Sequence, residues 1–143
     1  MTSIDFYFNA GDRLEVACRL AGKALQQQKR VLVYAPQAEL AQRLDRMLWT
    51  SQAVSFIPHC AAHDAIADET PVLIASDEEA PAHACEILLN LSAQCPPFFE
   101  RHERLLEIVS QDEVERQEGR ARFKFYRDRG YEIRSHDLAK GAA

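Results

Sequence analysis

Two stretches of this chain, Arg30-Val31-Leu32-Val33-Tyr34-Ala35 and Val72-Leu73-Ile74-Ala75, are apolar almost without interruption. A strand with one face in water alternates apolar and polar residues. A run that is apolar throughout reads as a strand buried on both faces, as in the middle of a parallel sheet. Parallel neighbours need long crossovers, usually helices, and those helices cover the sheet. The stretches between the strands have that character. Leu14, Ala17, Cys18, Ala21 and Leu25 recur at helical spacing after Asp12, which can cap a helix with Glu15 three residues on. The exit falls at Gln26-Gln27-Gln28-Lys29. A second helix is expected to begin at Pro36, whose missing N–H costs little there. Its stripe is Leu40, Leu44, Met47 and Leu48, and Trp49 lies at its end.

Further strands are expected at Ile4–Phe8, Val54–Ile57, Ile87–Ser92 and Leu105–Val109. Cys60–Thr70 and the acidic stretch Ser76–His83 read as loops. Ser110, with Glu113 in the capping-box position, is expected to start a long helix that Gly130 ends. Tyr131-Glu132-Ile133 can return to the sheet edge, and residues 135–143 read as a frayed tail. The order βαβαβ, more strands, then a helix predicts an α/β fold. It is a single three-layer domain over 1–143, with a largely parallel central sheet and helices on both faces. At 143 residues, 47% hydrophobic and 27% charged, the chain has the composition of an ordinary globular domain.

Such a sheet invites a nucleotide, yet the glycine motif is missing. The first strand leads into Asn9-Ala10-Gly11-Asp12, with one glycine and a carboxylate where a pyrophosphate would sit. No cofactor is expected. His59, Cys60, His63 and Asp64, with His83 and Cys85 as possible completers, do not repeat a zinc spacing, and no metal is expected. Cys18 and Cys85 fall on apolar faces, there is no GxSxG, and no catalytic residue emerges. The four cysteines are dispersed and read as reduced thiols of a cytoplasmic protein. No stretch approaches the roughly 18 apolar residues of a membrane span, and Met1–Asn9 lacks the pattern of a signal peptide.

The net charge of −5 conceals a pattern. Between Arg116 and Arg129 lie six basic and two acidic residues, a window of +4 that leaves −9 on the rest. Arg116, Arg120, Lys124 and Arg127 are spaced to form one helical stripe, with Phe123 beside it. Phe125 reads as the better core residue. Arginine forks onto carboxylate or phosphate. The surface therefore suits a short acidic peptide ending in a bulky hydrophobe. The alternative is a direct single-stranded nucleic-acid-binding module using the 116–129 helix, although the acidic body would repel a long polyanion.

Several segments in order resemble one family. They are Phe6-Tyr7, Lys29-Arg30-Val31-Leu32-Val33, Leu44-Asp45-Arg46-Met47-Leu48-Trp49, Ser55-Phe56-Ile57-Pro58-His59, Pro71–Ala75, Ile87–Leu91, and Arg122–Arg127 before Gly130-Tyr131. The chain resembles the chi subunit family of bacterial DNA polymerase III holoenzyme, an accessory of the clamp-loader complex. The resemblance implies a non-catalytic bridging subunit, with a nucleotide-binding-like fold that lacks the nucleotide motif. It implies two partners. One is the psi subunit, which tethers chi to the clamp loader. The other is the acidic C-terminal tail of single-stranded DNA-binding protein, ending in Pro-Phe. By position, Trp49, Arg116, Arg120, Phe123, Lys124 and Arg127 would bind the tail, with Trp49 and Phe123 receiving the terminal phenylalanine. Phe56, Ile57 and Pro58 match the psi-contact segment.

Overall fold

The two apolar runs form adjacent inner strands of a seven-stranded sheet. The computed structural model describes residues 2–50, 58–62, 70–75, 85–96 and 98–140. Its strands are β1 (Ser3–Ala10), β2 (Val31–Tyr34), β3 (His59–Ala61), β4 (Val72–Ala75), β5 (Ile87–Asn90), β6 (Arg104–Ser110) and β7 (Ile133–Asp137). They lie in the order β3-β4-β2-β5-β6-β1-β7, and every pairing is parallel. The α-helices among the described residues are α1 (Arg13–Gln26), α2 (Ala38–Thr50) and α3 (Glu113–Asp128). None is long and apolar enough to cross a membrane.

Successive residues of a strand point to opposite faces, and here both faces are covered. Val31, Val33, Val72, Ile74, Ile87 and Leu89 pack under α1 and α2, which bring Leu14, Ala17, Cys18, Ala21, Leu44 and Leu48. Leu32, Tyr34, Leu73, Leu88 and Leu105 face the other way, toward Phe99 and Tyr126. The three-layer α/β reading holds.

Several local expectations differ. Pro36 lies outside α2. Ala35 still donates to Ala75 O at 2.8 Å, so the chain stays extended through Pro36, and the first helical bond runs from Ala41 to Gln37. The cap of α3 is Asp112, whose Oδ2 accepts from Glu115 N at 3.1 Å. Ser110 still belongs to β6; its hydroxyl accepts from Asp112 N and donates to the Glu115 carboxylate. The expected strand 54–57 lies outside the described residues, as does 76–84. His59–Ala61, at the start of the expected 60–70 loop, forms edge strand β3 against β4. Ser135–Asp137 is not frayed. It completes β7, pairing with Phe6–Phe8 of β1, while Tyr7 and His136 stack at 4.6 Å. The strand is polar because it is an edge, so no apolar pattern marks it.

Helix α3 buries Gly119, Arg122 and Tyr126. Tyr126 is the core aromatic (0% exposed), and Phe125 is on the surface (36%) with the Arg129 guanidinium 4.1 Å from its ring centre. A three- and four-residue step from Gly119 reaches Arg122 and Tyr126, and Phe125 falls off that face. Gly119 lets the helix approach β6: a Cβ there would stand 2.7 Å from Val109 Cγ2. Gly119→Ala should destabilise the fold by about 1–3 kcal/mol, as overpacking does, despite the better helix propensity of Ala. Urea unfolding should show the loss, and Val109→Ala in the same chain should restore much of it.

Candidate binding site

Where α3 crosses β6 and β1, a cavity of about 310 Å³ opens between the helix and the sheet edge. Its apolar wall is Phe6 and Phe8 of β1, Val109 of β6, and Gly119 and Phe123 of α3. Phe123 is half-buried and meets the Phe6 ring edge-on at 5.2 Å. Arg116 and Arg120 stand at the rim, together with Asn9, Ser110 and Ser135. Asn9 has a left-handed backbone (φ 64°) where the β1 register shifts, and its Nδ2 donates to Asp137 Oδ1 at 2.8 Å. That bond ties the end of β7 to the bulge.

The cations of α3 differ in how they are held. Arg116 lies 4.0 Å from Glu113, Lys124 lies 3.2 Å from Asp128, and Arg127 lies 3.7 Å from the same Asp128. All of these are exposed pairs, worth little in water. Arg120 has no ion-pair partner among the described residues. It stands at the cavity mouth, one turn before Phe123. An apolar slot with an unpaired guanidinium at its lip can take a hydrophobic side chain and an adjoining carboxylate together.

Arg122 differs in kind from its neighbours. It is buried, and its Nε donates to Glu107 Oε1 at 2.9 Å. Glu107 is fully buried in β6. It also accepts from Asn90 Nδ2 at 3.1 and 3.0 Å and from the Tyr126 hydroxyl at 2.7 Å. Arg122 Nη1 donates to Ala93 O at 3.0 Å. Burial pushes the Glu107 carboxyl above its ordinary value; the Arg122 charge and the bonds from Tyr126, Asn90 and Arg122 pull it down. The same burial and the Glu107 charge push the Tyr126 phenol up. One cation of the +4 window is thus spent inside the protein. The signal was present in the sequence: Glu107 is a lone acid in the run Leu105–Val109, and Arg122 sits off the stripe at the spacing of Gly119 and Tyr126.

Of the residues expected to bind the tail, the cavity gathers Arg116, Arg120 and Phe123. Lys124 and Arg127 lie outside it on the same helix. Trp49 is elsewhere. It is exposed (57%) at the end of α2, its ring 5.3 Å from that of His59 at the opposite edge of the sheet. The expected pairing of Trp49 with Phe123 around one phenylalanine is therefore not formed, because α2 and α3 cover different faces. Sequence reasoning missed Phe8, Asn9, Val109, Ser110 and Ser135, which no motif joins and only strand order brings together. Phe56 and Ile57 lie outside the described residues, and Pro58 leads into β3. His59 Nε2 is 3.0 Å from Asp45 Oδ1. No group of three or more metal-ligating side chains occurs among the described residues; His63, Asp64 and His83 lie outside them. Burial pushes the thiols of Cys18 and Cys85 up to about 11, far from a nucleophile's range. In the β1–α1 turn, Asp12 Oδ1 accepts from Leu14 N at 2.9 Å, so a carboxylate occupies the helix N-terminus.

Residues 1–134 match the family described as DNA polymerase III chi subunit, HolC. The chain is similar to DNA polymerase III subunit chi of Pseudomonas aeruginosa, 35% identical over 98% of this chain and 99% of the relative. It is also similar to that of Escherichia coli, 29% identical over 83% of this chain and 81% of the relative. Among solved structures it is similar to the C-terminal domain of the DEAD-box protein Dbp5. There the TM-score is 0.66 at 14% identity, with 96% of this chain and 91% of that one covered, a likeness of fold alone.

The Glu107 network generates a test of what seats α3. Arg122→Ala leaves a buried carboxylate without its cation and should cost about 3–5 kcal/mol. Replacing both charges, Glu107→Leu with Arg122→Met, should recover most of that. Urea unfolding of the three proteins compares them.

Proposed function

The chain belongs to the DNA polymerase III chi subunit family, and we propose that it serves there as a bridge, holding the psi subunit with one edge and the C-terminal tail of single-stranded DNA-binding protein with the other. Chi is an accessory, non-catalytic subunit of that polymerase, so the chain works in DNA replication. Through psi it joins the clamp-loader complex, in the cytoplasm.

The observation that carries the tail reading is the slot formed by Phe6, Phe8, Val109 and Phe123, with Arg120, which has no ion-pair partner among the described residues, at its mouth. An acidic tail ending in Pro-Phe supplies the matching chemistry: a phenyl ring for the slot, a terminal carboxylate for Arg120, and aspartates for Arg116, Lys124 and Arg127. Phe123 offers the apolar contact without a phenolic hydroxyl. The seat proposed here is built on Phe123 without Trp49, whose ring lies beside that of His59. Pro58, the last residue of the expected psi segment, leads into β3, and β3 and β7 are the two outer strands of the sheet. Partners at those edges would not compete. Direct binding of nucleic acid is not part of the reading, since the rest of the chain, at −9 outside the 116–129 window, would repel a polyanion extending past this one helix.

Titrating a labelled acidic peptide ending in Pro-Phe should give saturable binding at low salt that weakens as salt rises. Arg120→Ala or Lys124→Ala should weaken it by roughly 1.5–3 kcal/mol, the size of a hydrogen bond to a charged group. An absence of saturable binding, or tighter binding of a single-stranded oligonucleotide by the same variants' parent, would sink the tail reading. For the other edge, Phe56→Ala should abolish capture of psi while peptide binding and the melting curve stay unchanged. Unfolding of that variant would instead make Phe56 a core residue.

A further inference from the structure

On the opposite face of β1 from the tail slot, a second cavity of about 360 Å³ lies between the last turns of α1 and the start of β6 and β7. Its size falls in the usual range for small-molecule sites. The floor is apolar, built from Leu20, Ile87 and Leu106, and the rim is strongly charged. Asp5, 1% exposed, is the one carboxylate. Three groups converge on it: Arg104 Nη2 at 2.9 Å, Arg134 Nε at 3.2 Å and His136 Nε2 at 3.1 Å. Lys23 of α1 adds a further cation with no ion-pair partner among the described residues. Three permanent positive charges thus face one negative charge.

The donors are also more than Asp5 can use. A guanidinium carries five N–H groups. Arg104 gives one Nη to Asp5 and also hydrogen-bonds the Tyr7 hydroxyl, and its buried Nε has no hydrogen-bond partner among the described residues. Buried donors are rarely left so in native proteins, and each one points to an acceptor that belongs there. Arg134 spends its Nε on Asp5 and is otherwise exposed (57%). Asp5 is the fixed counter-charge that aligns both guanidiniums by their inner edges. The C-terminal carbonyls of α1 are closed by Gln27, Gln28 and Lys29, so they do not line the cavity as bare acceptors. We propose that this cavity is a second binding site, separate from the slot on α3, for a small ligand that joins a doubly charged oxyanion, such as a phosphate monoester, to an apolar body. The oxyanion would lie between Lys23, Arg104 and Arg134, and the apolar body on Leu20, Ile87 and Leu106.

Phenyl phosphate carries both halves of that chemistry and is the probe. Calorimetric titration of the full chain at low salt should show one saturable site, with inorganic phosphate at least about tenfold weaker. Amide shifts at Asp5 and His136 should follow the same curve. Arg134→Gln, at an exposed side chain, should weaken phenyl phosphate at least about tenfold, and Arg120→Gln should leave it unchanged. Lys23→Gln should weaken it too and stands in if Arg134→Gln lowers the melting temperature. The proposal fails if phenyl phosphate does not saturate, if its binding survives both Arg134→Gln and Lys23→Gln, or if Arg120→Gln abolishes it. That last outcome would assign the anion to the slot on α3.

Discussion

The ion pair between Glu107 and Arg122 is the interaction on which the candidate site depends. Two charges have been taken out of water, a cost of several kcal/mol per ion that only good geometry and added hydrogen bonds offset. Both conditions are met. Glu107 accepts from Arg122, Asn90 and Tyr126, and Arg122 also reaches Ala93 O. The network joins the end of β5 and the middle of β6 to α3. It supplies two of the three buried residues of α3, which are Gly119, Arg122 and Tyr126, while Phe123 against Phe6 and Glu115 against Arg13 add contacts along the helix. A helix with so narrow an apolar face can keep its outer surface charged, and that surface carries the cations proposed to meet an acidic partner.

Gly119 and the ion pair act together. The missing Cβ lets α3 settle on Val109, which brings Arg122 within reach of a carboxylate buried in the sheet. The same approach sets the width of the slot, since Gly119 and Val109 both line it. Stability and site geometry are therefore coupled through one close contact. The buried thiols of Cys18 and Cys85 are held protonated, and Glu107 is sealed from solvent.

Strand β1 serves two sites because its side chains alternate. Phe6 and Phe8 face α3 and the apolar slot; Asp5 and Tyr7 face the charged cavity near α1. Edge strand β7 follows the same rule, with Ser135 on one side and Arg134 and His136 on the other. A parallel edge strand need not be apolar, and Ile-Arg-Ser-His-Asp carries no periodic signal, which is why residues 135–137 read as tail.

The sequence by itself determined the class of the fold. Apolar runs such as Val31–Ala35 and Val72–Ala75 can only be buried on both faces, and the helical spacing between them supplies the layers. It also determined that the charge is segregated along residues 116–129, and the ordered segments identified the family. Tertiary structure alone decided which of those charges are available. Arg122 is neutralised from within because β6 places Glu107 beneath it, and Trp49 is parted from Phe123 because α2 and α3 cover opposite faces. Asn9, Val109 and Ser135 became neighbours through strand order. Periodicity reports the local face on which a residue lies, whereas a site is made where faces of distant segments meet, and that meeting is set by packing.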